Sequence, residues 1–132
     1  MAATDLRSYP IHLGLRASAV VEPVFAGALD WYEAYAKRHA SDGREGRLVS
    51  MHSFTKPWDS WEMHPNGSEV VVCTAGRLTL HQQRSDGSSG SVTLAPGQNA
   101  INDPGTWHTA HVKGEATALF ITAGMGTQVR PR

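Results

Sequence analysis

From Arg47 onward the chain is cut by turn-forming residues at nearly even intervals, and that punctuation limits what it can become. Ala75-Gly76, the Ser/Asp/Gly-rich run Arg84–Ser91, Pro96-Gly97, Asp103-Pro104-Gly105 and Gly114 leave only short stretches between them. The chain carries 13 Gly and 7 Pro in all. Segments this short are strands rather than helices, because a strand of ~4–8 residues is complete while a helix of that length is not. Glu69–Thr74 is dense in valine, and Arg77–Gln82 places Leu78 and Leu80 on one face. Arg47–Thr55, Trp58–His64, Ser91–Leu94, Gln98–Asn102, Thr106–Lys113 and Glu115–Thr122 supply the remaining strands. About eight short strands at turn spacings of roughly 8–12 residues predict an all-β sandwich or barrel. Alternation directs Val71, Cys73, Leu78, Leu80, Leu94, Leu119 and Ile121 into the core.

Upstream, one stretch has a helical period. Leu29, Tyr32 and Tyr35 or Ala36 recur at spacings of three and four, with Glu33, Lys37 and Arg38 elsewhere on the wheel. The expected helix runs from Leu29 to Ala40, with Asp30 as its cap and Ser41-Asp42-Gly43 as its end. Ile11–Val24 reads as one or two short strands. The polar, glycine-rich tail Gly124–Arg132 is expected to be poorly ordered unless it docks. At 132 residues the chain is one domain: an N-terminal extension over 1–46, a core over 47–122 and a tail over 123–132.

Charge excludes several partners. Twelve basic against twelve acidic residues leave a net charge of 0, which supplies no field for nucleic acid or an anionic membrane. The single cysteine, Cys73, excludes a disulfide framework and a cysteine-based zinc knuckle, and reads as a small core residue. No apolar run reaches the ~18 residues that span a bilayer, and Met1–Pro10 lacks the apolar core of a signal peptide. The expected setting is a reduced cytoplasm.

The residues with chemistry cluster in the strand-rich part. Glu62 and His64 project to one side of an extended Trp58–His64, and Glu69 opens the next strand in phase with Val71 and Cys73. A carboxylate at the head of an apolar row must be paired, protonated or bound to a metal. His108 shares a face with Ala110 and Val112. Two imidazoles and two carboxylates converging inside a barrel mouth suit a divalent metal, and a hydrogen-bonded His–Glu brace is the structural alternative. Trp61 and Trp107 face away from their neighbours Glu62 and His108, and His111 points outward. Trp58, Trp61 and Trp107 are expected to pack at the core or lip, and an aromatic lining for a ligand pocket is the alternative. His12, His39, His52 and His81 show no ligand spacing.

The segment from Glu62 to His108 resembles the cupins, small double-stranded β-helix (jelly-roll) barrels. Their first motif ends in His-x-His, three or four residues, Glu, six residues, Gly; here it reads Glu62-Met63-His64, four residues, Glu69, six residues, Gly76. Their second runs from a Gly to Pro-x-Gly-x-x-His; here it reads Pro96-Gly97 and then Pro104-Gly105-Thr106-Trp107-His108. Glu62 stands in place of the first histidine, Lys56 in place of the glycine that opens the first motif, and the second motif is one residue shorter. The resemblance implies a cupin-type jelly roll with one short N-terminal helix. It also implies that His64, Glu69 and His108 occupy three of four ligand positions, with Glu62 in the fourth.

A carboxylate in place of an imidazole hardens that ligand set and favours Fe, Mn or Zn. Two functions follow from it. One is a metal-dependent enzyme of dioxygenase, isomerase or lyase type acting on a small polar organic substrate. The other is a small-molecule binding or sensor module without turnover, with or without the ion. A storage barrel fits less well, since storage cupins are usually longer and two-domained. The spare apolar material in Ile11–Val24 and at Trp31 is expected to cover a partner chain or the outer sheet, so a homodimer is expected.

Overall fold

The computed structural model describes residues 2–132. Eleven strands form two antiparallel sheets that face each other. One sheet has six strands, in the order β2 (Ala19–Val21), β1 (Ile11–Leu13), β3 (Arg47–Phe54), β10 (Ala116–Thr122), β5 (Glu69–Ala75) and β8 (Asn99–Asn102). The other has five: β11 (Gln128–Pro131), β4 (Ser60–Met63), β9 (Trp107–Val112), β6 (Leu78–Gln83) and β7 (Ser89–Leu94). The sheets form a jelly roll that is flattened rather than closed into a barrel.

The core lies between them. Val71 and Cys73 from one sheet meet Leu78, Leu80, Leu94, Ala110 and Val112 from the other, nearly all without solvent contact. Gly76 makes the hairpin between β5 and β6 possible. Its φ is +70°, and a Cβ there would lie 2.1 Å from the Glu115 carbonyl oxygen. No L side chain fits that approach.

Strand β10 runs in the opposite phase to that expected. Ala116, Ala118 and Phe120 face inward, while Leu119 and Ile121 face outward. Both faces of this strand are apolar, so alternation alone admits either phase. The interior selects Phe120, whose ring packs near Phe54 at 6.1 Å and Trp58 at 6.0 Å, and Thr122, whose hydroxyl donates to Glu69.

The helix α1 (Leu29–Arg38) begins after Ala28, with no side-chain cap, so Asp30 lies in its first turn instead of capping it. An acid there still meets the positive end of the helix. The chain leaves α1 through a 3-10 turn over Ala40–Glu45, with Gly43 at φ 59°. Trp31 is buried within the chain, stacked on Tyr35 at 5.7 Å and edge-on to Phe25 at 5.1 Å. It therefore covers no partner.

The extension does not cover the outer sheet either. β1 and β2 add to its edge and make it wider. A buried polar network ties the extension down: His12 Nδ1 lies 2.6 Å from the Tyr35 hydroxyl and His12 Nε2 2.6 Å from Asp42. His39 stacks on His12 at 3.6 Å and bonds Glu22, which also accepts from Arg38. The tail docks as β11 on β4. Among the described residues no helix is long and apolar enough to cross a membrane.

Candidate metal centre

The four residues singled out in the sequence meet between the sheets at one end of the core. Glu62 of β4 pairs directly with His108 of β9, so both project inward from adjacent strands. Glu69 enters from the facing sheet at the start of β5. His64 follows β4, and its carbonyl accepts from the Gly105 N–H at 3.2 Å, which joins the turn before His108 to the strand end that carries His64. His108 Nε2 lies 3.1 Å from Glu69 Oε1, and His64 Nε2 lies 3.2 Å from Glu69 Oε2. Glu62 Oε2 stands 4.0 Å from His108 Nε2. Donor atoms of Glu62, His64 and His108 all lie within 4.8 Å of one another. His108 is fully buried, Glu69 and His64 nearly so, and Glu62 is 36% exposed at the rim.

Hydrogen bonds settle how the two imidazoles present themselves. Thr127 donates its hydroxyl hydrogen to the Gly124 carbonyl, so its oxygen is left to accept from His64 Nδ1–H at 2.8 Å. His108 Nδ1 faces the Thr106 carbonyl at 3.3 Å, an acceptor only. Each ring therefore commits a proton on Nδ1 and turns Nε2 toward Glu69, and in the neutral ring that tautomer is the one that ligates a metal. Neither Nε2 has a hydrogen-bond partner, and both are buried. Among the described residues the third such atom is Trp58 Nε1, on a ring 6.3 Å from that of His108. Lone pairs facing a carboxylate at about 3 Å are repulsive unless a proton or a cation lies between them.

Glu69 is held from its own side. Asn102 Nδ2 donates to Oε1 at 3.1 Å and Thr122 Oγ1 donates to Oε2 at 2.6 Å. Asn102 is in turn oriented by Gln82, whose amide donates to its Oδ1 at 2.7 Å across the two sheets. Sequence reasoning missed these supports. An inward phase at the end of Gln98–Asn102 was a usable signal for Asn102; Thr127 carried none, since only docking of the tail brings it to His64.

Charge at the site is strongly perturbed. Burial opposes ionisation of Glu69, but contact with the imidazoles of His108 and His64 outweighs it and holds the carboxyl far below the usual range. Burial also opposes charging of His108, and Glu69 outweighs it, so that imidazole is raised. Burial and the Glu69 carboxylate push Glu62 up against the pull of both imidazoles. Tyr32 of α1 is close enough to respond, its hydroxyl pushed up to about 12 by burial, then by Glu62 and Glu69. A ring-to-ring path of Phe25, His52 and Phe54 connects α1 to Trp58.

The donor set of two imidazoles and two carboxylates fits a divalent ion, since ligands ~2.0–2.2 Å from one centre lie about 3–3.5 Å apart. His12, His39 and Asp42 form a second group with donor atoms within 4.8 Å. There both nitrogens of His12 already have partners, so that group is a closed brace.

Solved structures define the class: this is a cupin-like fold. An oxalate oxidase is 17% identical, covering 61% of this chain and 44% of its own, at a TM-score of 0.53. Hydroquinone 1,2-dioxygenase PnpCD, in complex with Cd2+ and 4-hydroxybenzonitrile, is 13% identical over 58% of this chain and 56% of its own, at 0.52. A cupin-2 domain protein from Shewanella frigidimarina is 20% identical over 65% and 71%, at 0.45. The chain spans about half the length of the first two. No protein-family model and no curated protein matches it.

Proposed function

We propose that this protein binds one divalent metal ion, Fe, Mn or Zn, through His64, His108, Glu69 and Glu62, and uses it on a small polar organic substrate. The observation that carries this reading is the pair of buried Nε2 atoms without partners, each on a ring whose Nδ1 proton is already committed. Asn102, Thr122 and Thr127 would hold the ligands in orientation, as outer partners do at metal sites. A bound ion would supply Lewis-acid polarisation of a substrate oxygen or a redox centre. Glu62, the exposed member of the set, is the ligand that a substrate would displace most easily. Trp58 Nε1–H is the buried donor left for a bound substrate.

A second reading has one observation in its favour. With Glu69 ionised and His108 protonated, the pair neutralises itself, and the cleft would then hold a small molecule without an ion or turnover. Elemental analysis of untagged protein separates the two. About one equivalent of metal, lost in the Glu69→Ala/His108→Ala double variant, supports the metal reading. Metal-free protein that takes up no Fe(II), Mn(II) or Zn(II) leaves the binding module.

A further inference from the structure

The outer face of the five-stranded sheet carries two half-buried tryptophans that neither the core nor the candidate metal centre uses. Trp61 of β4 and Trp107 of β9 project there, away from Glu62 and His108. One row of residues crosses all five strands on this face. Arg130 of β11 pairs with Trp61, Trp61 lies opposite Thr109, Thr109 pairs with His81 of β6, and His81 with Ser91 of β7. Thr109 is fully buried although it is on the outward side, because it lies low between two larger rings. Its hydroxyl donates to the Ser60 carbonyl at 2.8 Å. The result is a groove of about 460 Å³ with Thr109 on its floor. Trp61 lines one side, His81, Gln83 and Ser91 the other, and Arg132 completes the lining.

The walls of this groove are braced from behind. The Arg130 guanidinium lies 4.3 Å from the Trp107 ring and 5.4 Å from that of Trp61, on the side of Trp61 away from Thr109, and it donates to the Gln83 side-chain carbonyl. Arg132 Nη1 donates to the carbonyls of Trp58 at 3.0 Å and Ala110 at 3.1 Å. Those two bonds hold the guanidinium still and leave its Nε–H and Nη2 hydrogens, the edge that meets a carboxylate or phosphate through two parallel bonds. Among the described residues no carboxylate pairs with Arg132, and none of the side chains lining the groove is acidic. With a preset cation and no acid, the groove favours an anion. An aromatic wall, a few convergent polar groups and a volume of this order are the attributes of a small-molecule site.

We propose that this groove is a ligand site distinct from the candidate metal centre, and that it takes a flat aromatic ring bearing an oxyanion, a carboxylate or a phosphate. The ring lies against Trp61, across the floor from His81, and the oxyanion lies on the free edge of Arg132. Gln83 accepts from Arg130, so its amide N–H groups remain for the ligand. The two sites occupy opposite faces of the same two strands. Glu62 and His108 point between the sheets, while their chain neighbours Trp61 and Thr109 point outward. A ligand in the groove therefore rests on β4 and β9 without reaching the space between the sheets.

The test is an NMR titration of the full chain that reads the assigned tryptophan indole N–H signals. Benzoate and phenyl phosphate are the probes, and whichever binds more tightly identifies the oxyanion. At least one of them should move the Trp61 signal and saturate in the millimolar range or below, while the Trp58 signal stays in place. Arg132→Gln should weaken binding at least ~10-fold. Ser91→Trp, which fills the groove from an exposed position, should abolish it. Both variants should keep the circular dichroism of the parent. Benzamide, a ring without the charge, should bind at least ~10-fold more weakly than benzoate, and Arg47→Gln on the other sheet should change nothing. A Trp61 signal unmoved by either probe up to about 20 mM overturns the proposal. So does binding that survives Arg132→Gln or Ser91→Trp, that benzamide matches, or that moves Trp58 instead. A chelator should leave the affinity unchanged; loss of binding on chelation would put the ligand on an ion and overturn the groove, leaving the metal reading standing.

Discussion

At the scale of single residues, the site is decided by where protons sit. Thr127 fixes the tautomer of His64 through one hydrogen bond, so Thr127→Val should weaken metal affinity by ~10–100-fold while the metal-free protein melts nearly as before. Competition titration against a chromogenic chelator measures it. The pH dependence has a definite sign. A depressed carboxyl such as Glu69 stabilises the fold above its unfolded value of about 4.3 and loses that contribution as pH falls through its folded value. A raised imidazole such as His108 stabilises below about 6.5 and loses its contribution as pH rises through its folded value. Both contributions come from one ion pair, so the metal-free protein should be most stable between these limits and its Tm should fall as pH rises above about 6.5. The metal-loaded protein should do the reverse, because ligand imidazoles must be unprotonated. Melting curves of chelator-treated and metal-loaded protein should therefore diverge with rising pH, and parallel curves would count against an ion.

At the scale of elements, two substitutions probe how strands are placed. Gly76→Ala puts a Cβ against the Glu115 carbonyl at positive φ, so it should cost upwards of ~2 kcal/mol and lower the urea midpoint accordingly. Strand β10 offers a test of phase. Phe120→Ala should cost about 3–5 kcal/mol, as for a buried ring, and Leu119→Ala should cost well under half of that in dilute protein. Equal losses would mean that both faces of the strand are packed.

At the scale of the whole molecule, the proposed metal binding would be linked to folding. An ion bound only by the folded chain stabilises it by about 2.7 kcal/mol at a hundredfold excess over its dissociation constant. Tm should fall with a strong chelator, recover with Fe(II), Mn(II) or Zn(II), and show neither response in Glu69→Ala. Differential scanning calorimetry of untagged protein provides the measurement.

The sequence by itself determined most of the strands and pointed to the four residues that meet between the sheets. Turn residues at 8–12-residue spacing can bound only short strands, and the period of two put Glu62 with His64 and Glu69 with Val71 on the correct faces. It also named the helix to within two residues at its end, since the 3.6 period is local. What the local pattern could not carry was decided by contacts between distant segments. The phase of β10 depended on which apolar side chain fitted opposite Trp58 and Phe54. Docking of the tail as β11 brought Thr127 to His64, 63 residues away in the chain. Pairing of β5 with β8 set Asn102 directly beside Glu69, and Gln82 reaches Asn102 from the facing sheet. The N-terminal strands were legible as strands, yet only sheet register shows that they widen the six-stranded sheet. Periodicity reports which residues share a side of an element; which element lies opposite is set by packing, and packing is a property of the whole chain.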